Sequence, residues 1–344
     1  MINDARRVRM LDVANSLGVS RATVSLVMRG SPLVSATTRE SVLAEADRLG
    51  YVYNQAAASL RTQRNDVVGL VMPDIVNPLV AEISLGAQEV LNELGYFAAI
   101  VNTAENVETQ QRLFRTLVQQ RVAGVIVIPV LRTASADVAE LARSQVPLVV
   151  LTRAFPDSGV PFVGTDDTLI GRMGGEHLVE VHGCREVAYF GGNALATPRV
   201  SREGSFRETV VAAGASYDKM WSQPFDAGIV DAYRAASALL EKGPPPRGIL
   251  CHSDNVAFGL LKALQLKGYT PQDCAVVGID DLLQSQLWTP SVSSIAVQPT
   301  EIGRVCARVL LTEIGTPPNG PTTPPPPTLH PRTSCGCNPT NPSL

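Results

Sequence analysis

The residues able to do chemistry lie at the ends of apolar runs. Asp74 and Asn77 follow Val67–Met72, Thr152 and Arg153 follow Leu148–Leu151, Ser253 and Asp254 follow Gly248–Cys251, and Asp280 follows Ala275–Ile279. Arg202 starts a helical stretch leading to Phe206, and Phe225 sits in a loop ahead of another helix. The set combines a bidentate donor, a carboxylate and an aromatic face, which are the groups that read the vicinal hydroxyls of a polyol. Asp254 either caps the following helix or touches the ligand. Asp280 and Asp281 are neighbours, not carboxylates opposed across a gap as in a glycosidase. No G-x-G-x-x-G follows a strand, and neither H-E-x-x-H nor G-x-S-x-G occurs. Four histidines (His177, His182, His252, His330) are too dispersed for an obvious metal cluster. The six cysteines (Cys184, Cys251, Cys274, Cys306, Cys335, Cys337) form no C-x-x-C pair and read as free thiols in a reducing compartment. Metal binding or oxidation at Cys335 and Cys337 is the minority reading, so neither a metal nor a cofactor is expected.

These candidates need a scaffold of parallel strands, because ligands of such sheets sit outside the carboxyl ends of the strands. The spacing predicts strands at Val67–Met72, Phe97–Val101, Val125–Ile128 and Leu148–Leu151, with helices over Leu79–Leu94, Val107–Gln120 and Ser135–Arg143. A second set holds strands at Val187–Phe190, Gly248–Cys251 and Ala275–Ile279, with helices near Ser201–Ala213, Ala227–Glu241 and Asn255–Lys267. The strands are continuous apolar runs, as expected of a sheet covered on both faces. Thr316–Thr328 is dense in proline and reads as an irregular loop, with Leu329–Thr333 a closing strand. No heptad tail follows.

The first 50 residues differ in kind. Leu11–Leu17 has helical apolar spacing (Leu11, Val13, Ala14, Leu17), Gly18 breaks it, and Ser20 is a helix N-cap residue. Arg21–Met28 then forms a second short helix with Val24 and Val27 inward. Two short helices joined through a glycine turn are a helix-turn-helix, or else an ordinary helical hairpin within a larger core. Ser35 can cap a third helix, Ala36–Leu49, which Gly50 stops with Tyr51 packing back. If the second helix enters a major groove, Arg21, Ala22 and Leu26 reach base edges: Arg21 a guanine, Ala22 or Leu26 a thymine methyl. Ser20, Thr23, Ser25, Arg29, Ser35, Thr38 and Tyr51 are candidate phosphate contacts, or solvated and capping side chains.

Met10–Arg64 followed by VVGLVMPDIVNPL resembles the LacI family of bacterial transcriptional regulators, over about residues 9 to 334. The resemblance implies an all-α helix-turn-helix head (1–53), a hinge helix and linker (54–65), an α/β two-lobed core of the type I periplasmic-binding-protein kind (66–334) and a tail (335–344). It implies that Asn54–Arg61 orders as a hinge helix on DNA beside its twin, that Asn54, Ala57 and Leu60 contact DNA there, and that Leu60 wedges into the minor groove. It singles out Arg202 and Asp280 as effector contacts and Phe225 as an aromatic platform; Gln298, Pro299, Ile302 and Gly303 resemble the last crossing segment. The chain departs from the family pattern at Leu26, often arginine in relatives, at Leu79 and Val80, usually aromatic, and at Ser205, often glycine. The loss of the two aromatics argues against a purine and for a sugar.

Charge fits a split of labour. Residues 1–65 hold nine arginines, no lysine and five acidic residues, a net +4, while the rest, with 20 basic and 27 acidic residues, carries −7. A basic head on an acidic body meets phosphate through the head alone. The N-terminus lacks the apolar stretch of a signal peptide and no apolar run reaches ~18 residues, so a cytoplasmic protein is expected. The reading is a sequence-specific repressor, a homodimer on pseudo-palindromic double-stranded operator DNA, controlled by a small-molecule effector and neither membrane-bound nor an enzyme. A solute-binding protein and a glycosidase are the alternatives weighed.

Overall fold

The computed structural model describes residues 8–28, 30–52, 65–155, 158–316 and 319–337. The chain divides into two compact units, 1–65 and 66–344.

The first unit is three helices, α1 (Met10–Leu17), α2 (Arg21–Met28) and α3 (Ala36–Leu49). Gly18 ends α1 at φ +64, and Val19 N–H returns to the Ala14 carbonyl at 3.0 Å. Ser20 Oγ accepts from Thr23 N at 3.0 Å and caps α2; Ser35 Oγ accepts from Thr38 N at 3.2 Å and caps α3. Gly50 at φ +68 stops α3, and Tyr51 packs on the core. That core is Val13, Ala14, Val24, Val27, Val42 and Ala46. Leu11, though part of the apolar spacing, is 47% exposed, and Met10 packs against the core. So small a core is marginal alone, and a Ser16–Glu45 hydrogen bond ties α1 to α3.

The second unit is two doubly wound lobes. One sheet has strand order β2-β1-β3-β4-β5, all parallel: β1 Val67–Met72, β2 Phe97–Asn102, β3 Gly124–Val127, β4 Leu148–Leu151 and β5 Phe162–Val163. Helices α4 (Pro78–Glu93), α5 (Val107–Gln119) and α6 (Ser135–Ala142) link its strands. The chain crosses at Gly164–Asp166 into α7 (Asp167–Glu176), which runs on as a π-helical turn over His177–Val181. The second sheet has order β11-β10-β9-β8-β6-β7, parallel except for β11: β6 Glu186–Phe190, β7 Ser216–Tyr217, β8 Gly248–Cys251, β9 Ala275–Asp280, β10 Ser293–Ala296 and β11 Thr328–His330. Its helices are α8 (Thr197–Ala212), α9 (Ile229–Leu240), α10 (Asp254–Leu266) and the short α11 (Leu283–Leu287). Then α12 (Pro299–Ile314) returns to pack on α4 and the first sheet.

The central strands of both sheets are buried on both faces, which is why they lack alternation. The α7 helix escaped the sequence reading because Gly171, Gly174 and Gly175 lower its propensity. Close packing requires them: a Cβ on Gly171 would stand 2.1 Å from the Arg202 carbonyl oxygen.

Candidate functional site

The carboxyl ends of β1, β4, β8 and β9 open on a cavity of about 1160 Å³ between the lobes. Asp74, Asn77, Thr152, Arg153, Arg202, Ser253 and Asp280 all line it. Their readiness for a ligand differs. Asn77 caps α4 by accepting from Leu79 N at 3.1 Å, and Ser253 caps α10. Arg153 is already engaged: it grips Glu105 through both nitrogens, with Nη2 2.7 Å from Oε1, and donates to the Pro129 carbonyl at 2.6 Å. Asp74 is exposed and accepts from Val76 N at 3.0 Å.

Arg202 and Asp280 form the buried floor, 7% and 6% exposed. Arg202 does not start its helix, as the sequence suggested; it sits one turn in, because Pro198 begins α8 earlier. Its Nε donates to Asp167 Oδ1 at 2.7 Å and Nη1 to the His252 carbonyl at 3.0 Å. Nη2 has no hydrogen-bond partner among the described residues and is left for a ligand. Burial lowers the Arg202 pKa, but the Asp167 charge and its neighbours more than offset this and the net shift is upward. Asp280 is held far above the usual carboxylate range, first by burial and then by the Asp254 charge, against the pull of Arg202. A carboxylate there accepts from hydroxyls, and a protonated one also donates. His252 is held neutral by burial and by the nearby arginines, with Tyr189 Oη 2.8 Å from its Nδ1.

Asp280 sits at φ +112 and Asp281 at +55, a pair of left-handed residues that point their side chains apart. Asp281 pairs with Arg332 and His330, both at 2.6 Å. Asp254 holds this turn, and it neither caps α10 nor lines the cavity: it is fully buried and accepts from Leu282 N at 2.9 Å, Ser285 Oγ at 2.5 Å and Ser294 Oγ at 2.7 Å. Burial pushes its pKa from 3.8 up to about 6 despite these bonds. Between those values the folded chain binds a proton that the unfolded chain does not. This residue's contribution to stability therefore falls as pH rises from 3.8 to about 6, then levels off. Urea titrations across that window should show a flatter pH dependence for Asp254→Asn than for the parent.

Phe225 is the one effector candidate that the fold places elsewhere. Its backbone N–H binds the Gly192 carbonyl at 3.2 Å, and its ring packs edge-on to Phe190, centroids 4.8 Å apart, in a separate pocket beside Trp221. The aromatic face of the cleft is Trp288, stacked on Phe258 at 4.5 Å. Trp288 follows α11, which the sequence reading missed, and it supplies the ring that Leu79 and Val80 do not. Asp167, Asn193 and Asp226 also line the cavity and escaped the reading, since none follows a strand directly. Asn193 Nδ2 donates to Asp226 Oδ1 at 2.8 Å. Ser205 Oγ bonds the Thr168 carbonyl at 2.8 Å, fastening α8 to α7.

On the head, Arg21 and Ala22 are exposed at the start of α2 and Leu26 is half-buried one turn on. Arg21 makes no side-chain hydrogen bond or ion pair among the described residues. Ser20 and Ser35 are caps, each also 2.8 or 2.9 Å from the threonine three residues on, Thr23 or Thr38. Tyr51 is half-buried on the core. Ser25 is corrected: at 6% exposure it faces inward beside Val24 and has little surface to offer a phosphate. Arg29, Asn54, Ala57 and Leu60 lie outside the described residues.

Residues 9–54 match the family described as bacterial regulatory proteins, lacI family, and residues 176–335 match a periplasmic binding protein-like domain. The ribose operon repressor of Halalkalibacterium halodurans is 31% identical over 304 residues, 88% of this chain and 89% of that one. The chain belongs to the LacI family. It is a transcriptional regulator and not an enzyme. Another LacI-family relative, the HTH-type transcriptional regulator CelR of Thermobifida fusca, is 33% identical over 318 residues, 90% of this chain and 92% of that one. Among solved structures, a CelR–cellobiose complex superposes at TM-score 0.70 with 30% identity, covering 95% of this chain and all of the other. A Lac repressor dimer bound to operator superposes at 0.84 with 22% identity, covering 96% and 99%. No helix among the described residues is long and apolar enough to cross a membrane.

Proposed function

We propose that the chain is a cytoplasmic, homodimeric repressor whose affinity for a pseudo-palindromic operator is set by a sugar in the interlobe cleft. The observation that carries this is the buried Arg202 fork, fixed by Asp167 and His252 beside Asp280, with the Trp288 ring on the same cavity. Charged and carboxyl groups bond vicinal hydroxyls, and the ring covers the apolar face of a pyranose. A volume of about 1160 Å³ suits a disaccharide or larger. The solved CelR structure holds cellobiose, and the Lac repressor structure is a dimer on operator. Phe97 (65%) and Ile100 (44%) stand exposed on opposite faces of the edge strand β2, apolar surface on the rim of the sheet that a second copy could cover.

Residues 1–53 read DNA, 54–65 are the hinge with Leu60 as wedge, 66–334 are the sensor and 335–344 the tail. Arg21, Ala22 and Leu26 meet bases; Ser20, Thr23, Arg29, Ser35, Thr38, Tyr51, Asn54 and Ala57 position the backbone. Asp74, Asn77, Thr152 and Ser253 bound the effector around Arg202 and Asp280, and Arg153 shapes the wall through Glu105. A ligand that prefers one arrangement of the lobes shifts the hinge pair, with coupling typically ~1–3 kcal/mol.

Two experiments test the reading. Thermal-shift assays of the full chain against cellobiose, maltose, ribose and purines should show stabilisation by a sugar and none by purines; the reverse would refute the sugar. Duplexes selected from a random pool should lose about 1–3 kcal/mol of affinity for Arg21→Ala, with relaxed preference at one base pair of each half-site. A uniform loss across all sequences would reduce Arg21 to a phosphate contact.

A further inference from the structure

The four side chains that the sequence scatters most widely meet at one point. His177, His182, Cys335 and Cys337 bring their ligand atoms within 4.8 Å of one another. The histidine Nε2 atoms face each other at 3.1 Å; Cys335 Sγ is 3.4 Å from His177 Nε2, and Cys337 Sγ is 3.4 Å from His182 Nε2. The spacing hid this, because Cys337 and His182 are 155 residues apart. The first expectation, that the histidines are too dispersed to cluster, is overturned by the fold.

Two local devices assemble the group. The π-turn after α7 bonds His182 N–H to the His177 carbonyl at 3.3 Å, and this wider turn sets both imidazoles on one side. Gly336, at φ +87 after the Thr333–Cys335 3-10 turn, folds Cys337 back toward Cys335. His177 and Cys335 are buried and the other two half-buried. Ser293 Oγ donates to Cys335 Sγ at 3.0 Å, the kind of outer bond that orients a thiolate ligand.

We propose that His177, His182, Cys335 and Cys337 bind one zinc ion as a closed, four-ligand structural site. Bond lengths of about 2.0–2.1 Å to nitrogen and 2.3 Å to sulfur give tetrahedral edges of about 3.3–3.8 Å; three of the separations here are 3.1–3.4 Å and all lie within 4.8 Å, so small side-chain shifts close the set. The imidazole and thiolate donors suit zinc, and four protein ligands leave no position for a reacting water. Binding releases the two thiol protons, and zinc, two thiolates and two neutral imidazoles sum to zero charge, which a half-buried site tolerates. Without metal, two imidazole nitrogens face each other at 3.1 Å, where at most one can donate. The site lies at the amino ends of the second sheet's strands, away from the effector cleft. There it pins the last described turn, beyond β11, to the end of α7.

The test uses the full chain without a histidine tag, purified under reductant, stripped with chelator and titrated with zinc alone. Elemental analysis should give one zinc per chain, bound with a rise in melting temperature. Cobalt in its place should show the visible bands of a tetrahedral ion and a thiolate-to-cobalt charge-transfer band. His182→Ala and Cys337→Ser, both at half-buried positions, should each lower zinc affinity by more than the roughly 100-fold that loss of an outer-shell partner costs. Full zinc occupancy in both variants, an octahedral cobalt spectrum, no zinc uptake, or a Cys335–Cys337 disulfide persisting under reductant would each overturn the proposal.

Discussion

Arg202→Ala is expected to leave the chain able to bind its operator but deaf to any cleft sugar, and to lower the stability of the core. The guanidinium is 7% exposed and makes an ion pair with Asp167 at 2.7 Å. Its removal leaves Asp167 without its cation in a cleft shared with Asp280. Breaking a buried pair from one side costs about 3–5 kcal/mol. In a core of this size that lowers the melting temperature by roughly 10 °C. Arg202→Lys keeps the charge but not the fork, so it should recover much of the stability and little of the sugar response. Melting curves with and without the stabilising sugar read both effects. An alanine variant that melts with the parent and is stabilised equally by sugar would remove Arg202 from the site.

Gly303→Ala is expected to be the most damaging single methyl group in the core. An added Cβ would stand 1.9 Å from the Ile83 carbonyl oxygen and 2.8 Å from Ala87 N, where α12 crosses α4. Gly86 faces the same crossing, with its own Cβ position 2.0 Å from the Thr300 oxygen. Both obstacles are backbone, so no side chain can rotate away and the helices must separate. The cost should reach about 3 kcal/mol or more. Gly204→Ala is the control: it lies in α8 with nothing within 4 Å of the new Cβ, and should stabilise by about 0.5–1 kcal/mol. Equal denaturation midpoints for the two variants would contradict the crossing.

The main strands and most of the helices were legible because their apolar runs are long. What escaped was short or glycine-rich. The strands β5 and β7 span two residues each, and α7 hides behind three glycines that only its neighbours explain. At the cleft, residues directly after strands could be named, since strand ends converge by topology. Residues that reach the same space from helix starts and loops, such as Asp167, Asn193 and Trp288, carried no such mark. Phe225 shows the converse: a loop aromatic at a plausible position packs on Phe190 in the neighbouring pocket beside Trp221. Asp254, a cap or a ligand contact by its place ahead of a helix, is neither: the neighbouring Ser253 caps, and Asp254 ties Leu282 of the turn after β9, Ser285 of α11 and Ser294 of β10. The histidine–cysteine cluster lay furthest from view, because its two halves are far apart in sequence and meet through the path of β11 along β10.

The proposed repressor works by coupling between the interlobe cleft and the DNA-reading head. The most direct measurement is the anisotropy of a labelled, selected operator duplex titrated with the full chain at one fixed salt concentration, with and without the sugar that most raises the melting temperature. The predicted result is a shift in operator affinity of about 5- to 150-fold, abolished in Arg202→Ala, with affinity for scrambled duplex unchanged. Superimposable operator curves with and without saturating sugar would contradict it.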